Sequence, residues 1–129
     1  MSVVDSSGWI EFLRGTDDGR RFLDVIAADE VVVPTIVIVE VRRWWLSSRQ
    51  QVGSLDDLDE VTSMMSRGRV VPLTRVLAES ASSLGIRHRL PLADSIVYAT
   101  AQSLGHELWT QDKDFEGLPD VHYLPKQTA

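Results

Sequence analysis

The sequence predicts an α/β domain built on an open parallel β-sheet of four or five strands, with helices on both faces. Two observations predict it. Short apolar runs rich in β-branched residues alternate with longer helix-like stretches, which is the pattern of βαβ units rather than of hairpins. The chain of 129 residues, 43% hydrophobic and 25% charged, also suits one soluble domain around one core. No repeat, low-complexity run or linker interrupts it, so residues 1–129 are read as a single domain.

The elements are taken in chain order. Residues 2–5 (SVVD) read as a short strand ending at Asp5, with Ser6 and Ser7 as caps for a helix through GWIEFLR. A second helix is expected over 18–28, and a second strand over Glu30 to Val33, stopped by Pro34. Residues 35–49 (TIVIVEVRRWWLSSR) are β-branched at the start, but no turn separates that start from the helix-like remainder, so one helix entered at Pro34-Thr35 is the simpler reading. A helix over 54–66 is capped by Ser54, favoured by Asp56, Asp57 and Asp59 near its positive end, and lined by Leu55, Leu58, Val61 and Met65. Arg69 to Pro72 reads as a strand. A helix over 74–84 turns Val76, Leu77, Ala81 and Leu84 inward and stops at Gly85. Pro91 suits the first turn of a helix over 91–104 that ends at Gly105. Strands at Glu107 to Thr110 and about Val121 to Leu124 close the chain, and the helices 54–66 and 74–84 are expected to form an arm around the sheet.

Bulk properties narrow the function. No apolar run approaches the ~20 residues of a membrane helix, and MSVVDSSGW lacks the basic and apolar regions of a signal peptide. The absence of cysteine excludes disulfides, thiol catalysis and Cys-based zinc sites and fits a cytoplasmic location. The net charge of −6 argues weakly against a nucleic-acid partner, unless clustered carboxylates hold a divalent ion that reverses the local sign.

The acids do cluster in the predicted topology. Asp5 ends the first strand, Glu40 lies early in the following helix, Asp94 sits one turn into the helix that Pro91 starts, and Asp112 follows the strand ending at Thr110. In an open parallel sheet these positions share one edge, where doubly wound folds bind ligands. Their neighbours are apolar, and carboxylates rarely occupy such surroundings unless paired or metal-bound. Three or four together would make an oxygen site for Mg2+ or Mn2+.

Four motifs, VVDSSGWIEFL, VPTIVIVEVRR, LPLADSIVYATAQ and LWTQDKDF, resemble the PIN-domain nucleases, and most closely the VapC-type toxins of toxin–antitoxin pairs. The likeness runs over nearly the whole chain and is weakest in 50–85. It implies a PIN-like sheet, metal-dependent RNA cleavage, an acidic site formed by Asp5, Glu40, Asp94 and Asp112, a small VapB-like antitoxin and a homodimer. In the family pattern T-x-D-x-D-F the first aspartate, here Asp112, belongs to the metal site. Asp114 is then expected to cap the turn or to reach metal through water, with Phe115 anchoring the loop on the core.

Each residue also has a plainer reading. Asp5 alone would be a helix cap, and Asp94 alone a first-turn acid facing the helix dipole. Ser6 either caps or orients a site carboxylate, and Thr110 either bonds within the site or is structural. Arg42, Arg43, Arg87 and Arg89 are candidates for phosphate contact or members of a solvated face. His88, His106 and His122 lack ligand spacing. Trp9, Trp44, Trp45 and Trp109 could stack on bases but more commonly belong to a core or interface at such positions. A receiver-type signalling module would need an acidic pair after the first strand, where Asp5 is followed by two serines. A non-catalytic PIN-like RNA-binding or scaffold protein is the other alternative.

Overall fold

The computed structural model describes residues 1–28, 30–48 and 55–127, with 55 and 56 described by backbone alone. Five strands, β1 Ser2–Val4, β2 Val32–Pro34, β3 Arg69–Val71, β4 Glu107–Thr110 and β5 Val121–Tyr123, pair in parallel in the order β3-β2-β1-β4-β5. Seven α-helices are described: α1 Ser6–Leu13, α2 Asp17–Arg20, α3 Leu23–Ala27, α4 Thr35–Ser47, α5 Leu55–Ser66, α6 Arg75–His88 and α7 Leu92–Leu104. The chain moves outward from β1 through β2 to β3, then crosses back over α6 and α7 to β4 on the other side of β1. Right-handed crossovers taken in opposite directions put their helices on opposite faces, so the order reverses between β1 and β4. Among the described residues no helix is long and apolar enough to cross a membrane.

The strands are short and apolar because both faces are covered, as parallel sheets require. Val3, Val4, Val32, Val33 and Leu108 are fully buried, and Trp9, Phe22, Val37, Val41, Met65, Tyr98 and Phe115 join them from the flanking segments. α5 presents Leu58, Val61 and Met65 inward, one face at helical spacing. The expected cap Ser54 lies outside the described residues, as do the side chains of Leu55 and Asp56.

Several expectations are corrected. The helix expected over 18–28 breaks at Arg21–Phe22 into α2 and α3. There the N–H groups of Arg21 and Phe22 bond three residues back, to Asp18 and Gly19, a tight turn that seats the Phe22 ring in the core. Pro34 does not stop β2 short. It is the last strand residue, in register with Val71, and directly precedes α4, which ends at Ser47. Val76 is 66% exposed, because the inward stripe of α6 is Leu77, Ala81 and Leu84. α5 and α6 are not an arm. They belong to the crossovers β2–α4–α5–β3 and β3–α6–α7–β4, with α5 packed on β3 and α6 on α7.

Gly85 is no helix stop either. α6 runs through it to His88 and ends on Arg89 in a left-handed conformation (φ 56°). A β-carbon on Gly85 would lie 2.9 Å from Ser95 Cβ on α7, so the glycine permits close helix packing. Ser95 Cβ is fixed to its backbone and cannot swing aside. Gly85→Ala should therefore destabilise the protein by a net amount on the order of 1 kcal/mol, although alanine raises helix propensity. Chemical denaturation of the two proteins measures this, and an equal or higher midpoint for the variant would contradict the packing role.

Candidate active site

Asp5 follows β1 without a loop and is 2% exposed. It is the N-cap of α1, the role expected of Ser6 and Ser7, and it accepts from the Gly8 N–H at 3.1 Å. Ser7 Oγ donates to the same oxygen, Oδ1, at 2.7 Å, and Thr110 Oγ1 donates to Oδ2 at 2.7 Å. Thr110 also accepts from the Asp112 N–H at 2.9 Å, while Ser7 Oγ accepts from the Gln111 N–H at 3.0 Å. The β1–α1 and β4 junctions are thus joined by hydroxyls on both sides of the carboxylate. Burial drives the Asp5 pKa up to about 6, against the three donors that lower it, and the Asp112 charge adds to the rise.

Glu40, in α4, is pushed up by burial and by Asp112, and pulled down by a hydrogen bond with Ser6 and by the Arg43 charge. Its Oε1 is buried without a hydrogen-bond partner. Asp94, in the first turn of α7, is raised to about 8, first by burial, then by the charges of Asp112, Asp5 and Glu40, and further by donating a hydrogen bond to Asp112. These four acids therefore share one electrostatic environment at the C-terminal edge of the sheet, on both sides of the switch between β1 and β4.

The tightest group is not the expected four. Carboxylate oxygens of Asp94, Asp112 and Asp114 lie within 4.8 Å of one another, and neither Asp5 nor Glu40 belongs to that group. The reason is local. A 3-10 turn over Lys113–Phe115 follows β4, and the residue that caps it is Asp112, accepting from the Asp114 N–H at 2.9 Å. Asp114 is exposed, and the turn brings its carboxylate back beside Asp112. Phe115 is fully buried and anchors the turn against Tyr98.

The remaining expected residues divide. Arg43 reaches Glu40 through its charge. Arg42 instead donates to Thr62 Oγ1 at 2.6 Å and ties α4 to α5. Arg87 and Arg89 are exposed at the end of α6. Trp9 is fully buried and unavailable to a base. Trp109 stacks on His122 at 4.4 Å, and His122 pairs with Glu107 at 2.8 Å, so that histidine is engaged along the sheet edge. Sequence reasoning missed Ser7, Glu11 and Gln111. The Asp5-x-Ser7 spacing was the available signal for Ser7, since a helix start folds residue i+2 back onto its cap. Clefts of about 440 and 280 Å3 lie elsewhere, the larger lined by Met1, Asp24, Val25, Glu30, Val31 and Trp109, and none of Asp5, Glu40, Asp94, Asp112 or Asp114 lines either.

The raised pKa values set a pH dependence. A carboxyl whose folded pKa lies above its unfolded value of 3.8 binds more protons in the folded state, so its contribution is full at acid pH and is lost as pH rises. Without divalent metal, stability should fall between pH 5 and 8, as Asp5 and then Asp94 lose their protons. Any cation taken by these oxygens competes with the same protons, so its affinity should rise over that interval. Thermal melts in EDTA against pH, with Mn2+ titrations at both ends, check the pair of slopes. Stability rising across the interval in EDTA would contradict the arrangement.

Comparisons with known proteins bear on the fold that carries these acids. No curated protein sequence matches. The toxin–antitoxin complex from Klebsiella pneumoniae superposes with a TM-score of 0.79 at 22% identity, covering 96% of this chain and 100% of the other. A sarcin–ricin loop cleaving VapC toxin from Mycobacterium tuberculosis gives 0.73 at 20% identity, covering 97% and 100%. DNA-bound VapBC from Salmonella typhimurium gives 0.69 at 18%, covering 97% and 98%. At these identities the likeness establishes a shared fold. The sequence itself matches the model of the PIN domain over residues 2–121, nearly its full length, and the chain belongs to the PIN-domain family.

Proposed function

We propose that this chain is a metal-dependent endoribonuclease and the toxin of a type II toxin–antitoxin pair. The observation that carries the reading is the gathering of Asp94, Asp112 and Asp114 oxygens within 4.8 Å, beside the buried Asp5 and in the field of Glu40. The donor set fits a hard divalent cation. It is all carboxylate oxygen, and crowded like charges raise their own pKa unless a cation relieves them. Asp5, Glu40, Asp94 and Asp112 are proposed as the catalytic and metal-holding acids, with Asp114 a further holder from the rim. Bound Mg2+ or Mn2+ would supply an activated water and neutralise charge on the phosphoryl oxygens.

The chain's own groups supply the rest. Asp94, raised by burial and by its acidic neighbours, must give up its proton before its carboxylate serves as a ligand. Thr110 and Ser7 keep Asp5 ionisable in a buried place. Glu40 Oε1 is buried and lacks a donor, and it is proposed as a further oxygen for the cation. Arg43, and less directly Arg87 and Arg89, offer charge to the RNA backbone, whereas Arg42 is committed to Thr62. The toxin–antitoxin neighbours support a VapB-like antitoxin as partner, the sarcin–ricin loop cleaving toxin supports RNA as substrate, family resemblance supports a homodimer, and a sequence without cysteine fits a cytoplasmic location.

Purified protein incubated with total RNA should cleave it in Mg2+ and not in EDTA. Asp94→Asn should reduce cleavage by at least about 100-fold. In melts, Mn2+ at a hundredfold excess over Kd should stabilise the wild type by roughly 2.7 kcal/mol. Asp94→Asn should lose that gain yet be no less stable than the wild type in EDTA, because it removes a crowded charge. Wild-type RNA binding with neither cleavage nor a metal-dependent melt would favour the scaffold alternative.

Asp112→Asn should weaken Mn2+ binding more than Asp114→Asn. The Asp112 charge acts on Asp5, Glu40 and Asp94 alike, while Asp114 is exposed. Calorimetric titration of the two variants compares them, and equal losses would make Asp114 a full partner.

A further inference from the structure

Glu11 is a buried carboxylate that the proposed reaction does not use, and it faces the segment that carries Asp112. Ser7 and Glu11 are one turn apart on α1 and so share a face. Both hold Gln111. The Gln111 backbone N–H donates to Ser7 Oγ at 3.0 Å, and its side-chain Nε2 donates to Glu11 Oε1 at 3.2 Å. A carboxylate only accepts, which fixes the donor end of the amide toward it. That orientation leaves Gln111 Oε1 buried without a partner. Glu11 is 2% exposed, and its charge is met by Arg14 Nη1 on Oε2 at 3.2 Å and Lys126 Nζ on Oε1 at 3.5 Å. Lys126 is brought there by a tied tail: Arg21 Nη2 donates to the Pro125 carbonyl at 2.8 Å, and the Gln127 N–H donates to Asp18 Oδ1 at 3.1 Å.

We propose that Glu11 is a positioning residue: together with Ser7 it clamps Gln111 at backbone and side chain, and so fixes the Asp112 carboxylate relative to Asp5 and Asp94. Gln111 is the single residue between Thr110, which holds Asp5, and Asp112, which caps the exposed turn. Rotation about its backbone would swing Asp112 away from Asp94. With both ends of Gln111 held by one helix face, that rotation is blocked before any cation binds. The functional half of this inference rests on the carboxylate group being a metal site; the mechanical half does not.

The test uses full-length wild type, Gln111→Ala and Glu11→Gln. In EDTA, hydrogen exchange of the Asp112 and Asp114 amides should accelerate by roughly tenfold or more in Gln111→Ala, while amides of β1 and α7 keep their rates. Glu11→Gln keeps an acceptor oxygen and loses the charge, so its acceleration should be smaller. An unchanged rate at 112 and 114, or an equal rise throughout the chain, would overturn the clamp. Calorimetry with Mn2+ should then show affinity weakened about 10- to 100-fold in Gln111→Ala, the range for residues that orient ligands. Equal affinity in the two proteins would overturn the positioning role. A wild type that binds no Mn2+ would instead remove the metal reading, and the exchange rates in EDTA would still decide the clamp.

Discussion

A carboxylate buried at the end of the central strand is the constraint on which the rest depends. Asp5 follows two fully buried valines and is itself almost sealed from water. An ionised carboxylate there is tolerable only with donors on both oxygens. One set, Ser7 and Gly8, comes from the helix that Asp5 caps; the other, Thr110, comes from 105 residues further along. The second donor is in place only when β4 lies directly beside β1. Satisfying Asp5 and bringing the chain back across the sheet are therefore one requirement, which makes the switch point the most specified part of the molecule.

The acids around that point differ in a way that separates support from crowding. Burial is the largest influence on both Asp5 and Asp94. Asp5, the more deeply buried, is held to about 6 because three donors oppose the burial. Asp94 rises further, to about 8, because the charges of three other acids add to its burial instead of opposing it. One carboxylate is prepared by the protein to carry charge. The other is crowded by like charge, which a proton or a cation relieves.

Much of this architecture is legible in the residues. Alternation of short β-branched runs with helical stretches conveys the parallel sheet, and four acids, two after strands and two early in helices, indicate the edge where they meet. The long helix over Thr35–Ser47 is readable despite its β-branched start because nothing in it turns. Other features depend on tertiary contact and leave little local trace. Gly85 has the look of a stop but serves the Ser95 contact across two helices. Phe22 breaks a helix that periodicity would continue, since its ring is worth more in the core. Asp114 joins Asp94 through a 3-10 turn whose cap is Asp112, and Glu11 meets Gln111 100 residues away. Spacing along the chain hints at Asp114 near the site but carries no information about the meeting of Glu11 with Gln111.

The junction between β1 and α1 is a single residue, Asp5, and it sets the rotational phase of the helix. Ser7 and Glu11 face Gln111 because α1 starts where it does. One residue inserted before Ser6 would turn that face by about 100°, presenting neighbouring side chains to the β4 loop while leaving the helix intact. Length variation at this junction is thus closed to the chain in a way that substitution is not. Relatives that keep the acidic edge are expected to hold this spacing invariant, even where the side chains on the helix differ.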